Sequence, residues 1–476
     1  MVFSTTSFLF VFLPIFLLCY ALLPWRNLTA LVFSLLFFAW GEGAYVLLLL
    51  ATVGFNYFLG QHLEAGSRRS QFLALGVAAN LLVLGYYKYF GFLIGSVLEI
   101  PIPPEDIPHL PLGISFFIFQ SISYLIDVYR GDSPRARSYF DLALYIAMFP
   151  QLIAGPIVRY ATVAEAIRHR QISSYDVYRG VILFIVGLSY KVLIANNAAQ
   201  VADTVFGFAP GRLSTANAWT GIVAYTLQIF FDFAGYSLMA IGIGRIMGFH
   251  FPKNFDFPYT SRSITDFWRR WHMSLSSWFR DYLYIPLGGN RHGPYRTYVN
   301  LFTVFLLCGL WHGAAWTFII WGVFHGLILA VERAGLGAAL QKIPRPAQHV
   351  YAMLLVMIGW VLFRAETLPQ AMYYLEAMFS SVPAKGISFV RLVSTENLSF
   401  MLLGVIFAMP VLERTRAFRN GEDPDDVDPG GATLRDARGG HWIYRAANGV
   451  VALALLLMCS TYIMSGTYNP FIYFRF

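Results

Sequence analysis

Three histidines in the second half of the chain stand where an imidazole is costly. His272 lies in RSITDFWRRWHMSLSSWFRDYLY, among arginines and tryptophans, while His312 and His325 lie in CGLWHGAAWTFIIWGVFHG, which carries no formal charge. An ionisable side chain in apolar surroundings calls for a partner or a function. His312 suits a general base, because desolvation keeps the imidazole neutral and its ordinary pKa is close to working pH. His272 reads equally as a second member of the site and as an interfacial polar anchor. His325 reads as a packing residue hydrogen-bonded across helices. Cys308 stands one helical turn before His312, the spacing of a Cys/His nucleophile, although a dry thiol has its thiolate suppressed. Two histidines thirteen apart could also hold a haem. A metal site wants more Cys, His, Asp or Glu ligands at short spacing, so no metal is expected. There is no G-x-S-x-G elbow, no P-loop or dinucleotide fingerprint, and no H-x-x-x-x-D box.

The elements that must position these residues are membrane helices. Of 476 residues, 57% are hydrophobic and only 13% charged, about half the charge of a soluble domain. The fold class expected is all-α: a polytopic membrane protein, residues 1–476 forming one integral domain. Apolar segments follow at 7–23, 28–40, 44–60, 72–98, 111–129, 139–158, 178–197, 217–247, 298–312, 314–332, 347–364, 398–412 and 446–465. Several fall short of the ~20 residues that cross a bilayer. The first has neither a basic n-region nor a cleavage pattern and reads as a retained span. Segment 139–158 is expected to be re-entrant, broken by Pro150 and Pro156, which is tolerated where protein covers the backbone. Basic residues place 61–71, 130–138, 332–346 and 413–445 in the cytoplasm and 99–110 outside. Residues 413–445, polar and rich in Gly and Pro, read as a mobile loop. The tail SGTYNPFIYFRF would then end outside. The net charge of +8 fits this loop bias and calls for no nucleic acid.

Residues 263–285 read as one amphipathic helix at the interface or lining a cavity. Trp268, Trp271, Leu275 and Trp278 recur at helical spacing, and Asp266 near the start complements the dipole. His272, four residues after Trp268, shares the aromatic side. Arg262, Arg269 and Arg270 read either as juxtamembrane charges meeting lipid headgroups or as a site for an anionic donor, since arginine offers forked donors to phosphate. Asp232 lies inside an apolar segment, where an unpaired carboxylate is expensive; it could orient a histidine or hold the loop through Asn254. Ala234, Gly235, Ser237 and Ala240 allow close helix contact.

The run FDFAGYSLMAIGIGRIMGFHFPKNFDFPY, then SITDFWRRWHMSLSSWFRDYLYIPLGGNR and GLWHGAAWTFIIWGVFHG, resembles the membrane-bound O-acyltransferase family. PLGISFFIFQSISYLIDVYRGD, FPQLIAGPIVR and NPFIYFRF extend the likeness over nearly the whole chain. The resemblance implies a helical bundle with re-entrant or short helices around a central channel, a funnel from each side meeting near His312, the WHG histidine. His272 takes the place of the family's second histidine. Trp271, Asn254 and Asp232 join Arg262, Arg269 and Arg270 as candidate substrate-binding residues. The activity implied is transfer of an acyl group, from acetyl-CoA or another acyl thioester on the cytoplasmic side, to an extracytoplasmic polysaccharide. A periplasmic partner protein, an exopolysaccharide acceptor and the inner membrane go with it; no resident cofactor does. His312 is expected as general base, with His272 positioning the donor or polarising its carbonyl. Ala234 and Leu238 depart from FDFSGYSDMAIG of the alginate-acetylating branch; FDFAGYS is nearer the D-alanine branch, and LGGNR nearer the alginate one. D-alanyl transfer to teichoic acid, and a transporter with no covalent step, are the alternatives.

Overall fold

A computed structural model describes residues 2–153, 155–209, 211–381, 389–411, 442–466 and 468–470. Among the described residues every regular element is a helix. Six helices are long and apolar enough to cross a membrane: α4 (Arg69–Tyr89), α9 (Ser174–Phe206), α10 (Thr215–Ile246), α14 (Trp316–Leu340), α15 (Arg345–Arg364), and Ala447–Met464 of α18 (Trp442–Met464). Further helices are shorter or less apolar: α1 (Phe8–Leu22), α2 (Arg26–Glu42), α3 (Tyr45–Gly60), α5 (Ile114–Arg130), α6 (Tyr139–Ala147), α7 (Phe149–Leu152), α8 (Tyr160–Arg168), α11 (Ile264–Arg270), α12 (Met273–Phe279), α13 (Gly293–His312), α16 (Leu368–Phe379) and α17 (Thr395–Phe407). The protein is all-helical and polytopic. Most of the loop expected at 413–445, and tail residues 471–476, lie outside the described residues; α18 begins at Trp442, inside that expected loop.

The core is α10 clasped by α9. Without a hydrophobic driving force between helices in lipid, close association rests on small residues. Gly180 faces Gly242 and Gly187 faces Gly235; a Cβ on Gly180 or on Gly242 would sit 2.6 Å from the other's carbonyl oxygen. Gly235 is one of the four small residues singled out above.

The charge alternation agrees with the geometry at one end of the bundle. Arg135 pairs with Glu64 at 3.1 Å, and Gln61 donates to the Ala136 carbonyl at 3.0 Å. Loops 61–71 and 130–138 therefore share a side. Segment 139–158 is interrupted, but the break comes at Met148, ahead of both prolines. Pro150 sits in the first turn of α7, where its missing N–H is not needed. Residues 155–158 are irregular and buried, and Ile157 donates its N–H to Ser274 Oγ at 3.0 Å. This irregular stretch is thus docked on the His272 region.

Residues 263–285 are not one helix; their aromatic side is buried, while Arg269 and Arg280 stay exposed. Ser263 caps α11 through the Asp266 N–H at 3.0 Å, and α11 stops at Arg270. The chain turns at His272 (φ 44°, ψ 55°) before α12 begins. A left-handed conformation at a non-glycine residue is uncommon, and no pattern of apolar spacing encodes it. Trp268, Trp271, Leu275 and Trp278 are all buried. His272 does join the aromatic side, by this turn and not by helical periodicity.

Candidate active site

His312 is the last residue of α13, which returns through a short turn into α14. The hairpin is tight because Gly309 and Gly322 face each other: a Cβ on either would collide with the carbonyl oxygen of Phe318 or Phe305. Three aromatic rings enclose the imidazole nearly edge to face, Trp311 at 5.0 Å, Trp321 at 5.1 Å and Phe363 at 5.2 Å between centroids.

His272 is fully buried and is held by Asn254. The Asn254 Oδ1 accepts the Ser274 N–H at 3.3 Å and the Ser274 hydroxyl at 2.8 Å, and lies 3.0 Å from His272 Nδ1. A backbone N–H can only donate, so the amide atom in that position is the oxygen. Nδ1 of His272 must then carry the proton, and Nε2 is left as a bare acceptor. Nε2 is buried and has no hydrogen-bond partner among the described residues. A neutral His272 in this tautomer accepts a proton or a hydrogen bond and has no donor at Nε2 with which to polarise a carbonyl, one of the two roles expected of it above.

Trp311 joins the two histidines, its ring 6.3 Å from His272 and 5.0 Å from His312. Its indole N–H is buried and has no hydrogen-bond partner among the described residues, and the same holds for that of Trp321. Buried polar groups are nearly always satisfied. Two orphan donors and one orphan acceptor around His312 are what a site prepared for a polar ligand presents.

Sequence reasoning passed over Lys88. It is buried on α4 and donates to the Trp311 carbonyl and to Ser115 Oγ, the latter at 3.1 Å. The signal was present: Lys88 is the only Asp, Glu, Lys, Arg or His in segment 72–98. Lys191 was missed likewise. It forms an ion pair with Asp232 at 2.8 Å, both side chains 2% exposed, and also donates to the Pro470 carbonyl. Asp232 therefore holds α10 to α9 and not the loop through Asn254.

The arginines do not converge on the histidines. Arg270 is bound to Asp266 at 2.9 Å and to Asp256 at 3.4 Å. Arg262 is exposed, and Arg269 lines a separate groove with Arg280, Cys308 and Leu329. Trp271 is packed between Phe255 at 5.0 Å and Trp360 at 4.9 Å. His325 takes a long hydrogen bond of 3.4 Å from the Trp268 indole, across helices as expected. A cavity of about 240 Å³ instead reaches Asn254 from between α9 and α10. The half-buried Arg245 and Lys253, the exposed His250 and the buried Arg179 line it together with Leu183, Phe230 and Ile241. Among the described residues no three His, Cys, Asp or Glu side chains gather where a metal ion could be held.

Residues 131–362 match the model of the MBOAT, membrane-bound O-acyltransferase family. The whole chain is 43% identical to the whole of a "Probable alginate O-acetylase" of Azotobacter vinelandii. It is 37% identical to a "Peptidoglycan O-acetyltransferase" of Helicobacter pylori, over 82% of each chain. A "Teichoic acid D-alanyltransferase" of Bacillus subtilis matches at 31%, over 52% of this chain and 71% of the relative. This chain is a member of the membrane-bound O-acyltransferase family, an acyl-transferring enzyme of the membrane.

Proposed function

We propose that the chain takes an acetyl group from a cytoplasmic acyl thioester, acetyl-CoA in the simplest case, and passes it toward an extracytoplasmic polysaccharide through a partner protein. The observation that carries this reading is the meeting of His272 and His312 across Trp311, with unsatisfied donors and an unsatisfied acceptor between helices.

The chemistry follows from those atoms. His312 acts as general base on the incoming hydroxyl, a role typically worth about 10²–10⁴-fold. As the hydroxyl oxygen attacks the thioester carbonyl carbon, its proton passes to His312 and the carbonyl π electrons move onto oxygen. Collapse of the tetrahedral intermediate breaks the C–S bond, and the thiolate leaves with the proton that His312 returns. His272, a bare acceptor at Nε2, serves to align the hydroxyl. The orphan indole N–H groups suit the oxygen on which charge develops, since preorganised donors count most in a water-excluded site.

The donor enters by the cavity that ends on Asn254. Arg179, with Arg245 and Lys253, which also pair with Asp176 at 3.6 Å and Asp256 at 2.7 Å, supplies positive charge for its phosphates, and the apolar walls accommodate the uncharged part of a thioester arm. A polysaccharide chain does not fit a passage this narrow, so the acceptor comes from the other side. Arg262, Arg269 and Arg270, which do not line this cavity, keep their other reading as juxtamembrane charges that meet lipid headgroups.

Purified membranes given radiolabelled acetyl-CoA test the reading. Covalent label on a partner protein or polysaccharide is the expected outcome. Movement of the acyl compound across the bilayer with its thioester bond intact would establish a transporter instead, and label transfer only from D-alanyl thioester would move the reading to the D-alanine branch.

A further inference from the structure

Lys88 is a buried lysine that the mechanism above does not use. The last turn of α4 is wound as a π-helix over Gly85–Tyr89, and it delivers two successive side chains to the end of α13. Tyr89 donates its hydroxyl to the Leu310 carbonyl at 2.7 Å, and Lys88 donates to the Trp311 carbonyl. These are among the last carbonyls of α13, which have no partner within their own helix. The helix dipole places partial negative charge there, where an ammonium is favoured. Lys88 also stands 5.7 Å over the Trp311 ring and is close enough to His312 to interact with it electrostatically.

A helix end can be satisfied by neutral donors, as Tyr89 shows one residue along. An ammonium is costlier, because taking a charge out of water is strongly unfavourable unless it is paired. The partners of Lys88 are a carbonyl and a hydroxyl; among the described residues no carboxylate pairs with it. Two of its three N–H groups are used. A lysine that is charged there during acyl transfer stabilises the negative charge that develops on oxygen.

We propose that Lys88 is a positioning residue of the acyl-transfer site, pinning the end of α13 so that the Trp311 indole N–H meets the developing oxyanion in the field of a fixed ammonium. The inference rests on the acyl-transfer reading above. The thioester carbonyl oxygen gains the charge as the hydroxyl oxygen bonds to carbon, and loses it when the C–S bond breaks. Lys88 neither gains nor loses a proton in either step. Its contribution is made through Trp311, and it belongs to the transition state more than to donor binding.

The test compares Lys88→Gln, Lys88→Arg and Trp311→Phe in membranes, measuring kcat and KM for acetyl-CoA, with abundance and Tm as controls. Gln keeps a donor for the Trp311 carbonyl and removes the charge. The expected result for K88Q is a fall in kcat of about ten- to a hundredfold with KM for the donor unchanged. Arg keeps both charge and donors, and K88R is expected to hold kcat within about threefold. Because Lys88 acts through Trp311, K88Q should cost much less in a W311F background than alone. Wild-type kcat in K88Q, or additive losses in the double variant, overturns the proposal. Should K88Q fail to accumulate, K88R decides: a loss beyond about tenfold in a protein of normal Tm overturns it, and near-normal turnover supports it. His312→Ala run in parallel separates the two readings, since transfer surviving in H312A removes the acyl-transfer assignment itself, whereas an inert H312A beside a normal K88Q removes only this inference.

Discussion

Asn254 Oδ1 lies 3.0 Å from Nδ1 of His272 and takes the Ser274 N–H and hydroxyl as well, so one carboxamide fixes both the turn and the tautomer of the buried histidine. The consequence is measurable. Asn254→Ala frees the ring and removes the turn's anchor, and acetyl transfer should fall by about tenfold or more. Asn254→Asp keeps an acceptor at the same place and should retain more activity than Ala. The comparison is transfer rate per molecule in matched membranes; equal activity in both variants would contradict the tautomer assignment.

Lys191 and Asp232 form a pair with both members removed from solvent. Truncating one partner of a buried pair typically costs about 3–5 kcal/mol, whereas replacing both with apolar residues is often neutral. Lys191→Met alone should lower abundance and Tm, and Lys191→Met with Asp232→Leu should recover both. If the pair is structural, the double variant also recovers acetyl transfer. Loss of transfer in a stable double variant would return Asp232 to substrate binding.

Gly309 and Gly322 set the distance between α13 and α14. Gly309→Ala forces a Cβ into the Phe318 carbonyl, and overpacking of this kind costs about 1–3 kcal/mol. Thermal unfolding in detergent should show a lowered Tm. Transfer per folded molecule should also fall, because His312 is carried on the displaced helix end.

Asp281 sits outside the membrane-spanning helices. Burial works against its charged form, but hydrogen bonds from Arg280 and Arg159 outweigh it and hold the carboxyl below its ordinary range. Arg159 bridges from the chain before α8 to Asp281. A depressed carboxyl contributes stability that is present above its unfolded pKa and lost as pH falls through the folded one. Asp281→Asn should therefore lower Tm by about 2 °C at neutral pH, the size expected of a partly exposed pair in a chain this long. The gap to the wild type should close in acid.

The cationic side of the cavity makes a separate demand. Replacing Arg245 and Lys253 by Gln should raise KM for acetyl-CoA several-fold with kcat preserved, as loss of uniform binding does. Arg262→Gln and Arg269→Gln should leave KM unchanged. The opposite pattern would move donor entry to the other groove.

The membrane class and the position of His312 were legible because both rest on local signals: long apolar runs, and a histidine among residues with no charge. Asp232 was legible as a problem, a carboxylate in an apolar segment, but its answer lay forty-one positions away at Lys191, and nothing local joins the two. His272 was recognised through its motif while its geometry was misread. Apolar residues at spacings of three and four predict a continuous helix, and the left-handed turn that breaks it is held by Asn254, eighteen residues upstream. Lys88 carried a readable sign, a lone cation in an apolar span, and only the folded chain shows which carbonyl it serves.

The most direct measurement is acetyl transfer from acetyl-CoA by His312→Ala at matched membrane abundance, with His272→Ala alongside. The account predicts loss of about 10²-fold or more for H312A, with donor still binding and the protein still folded. Transfer at the wild-type rate in H312A would contradict it.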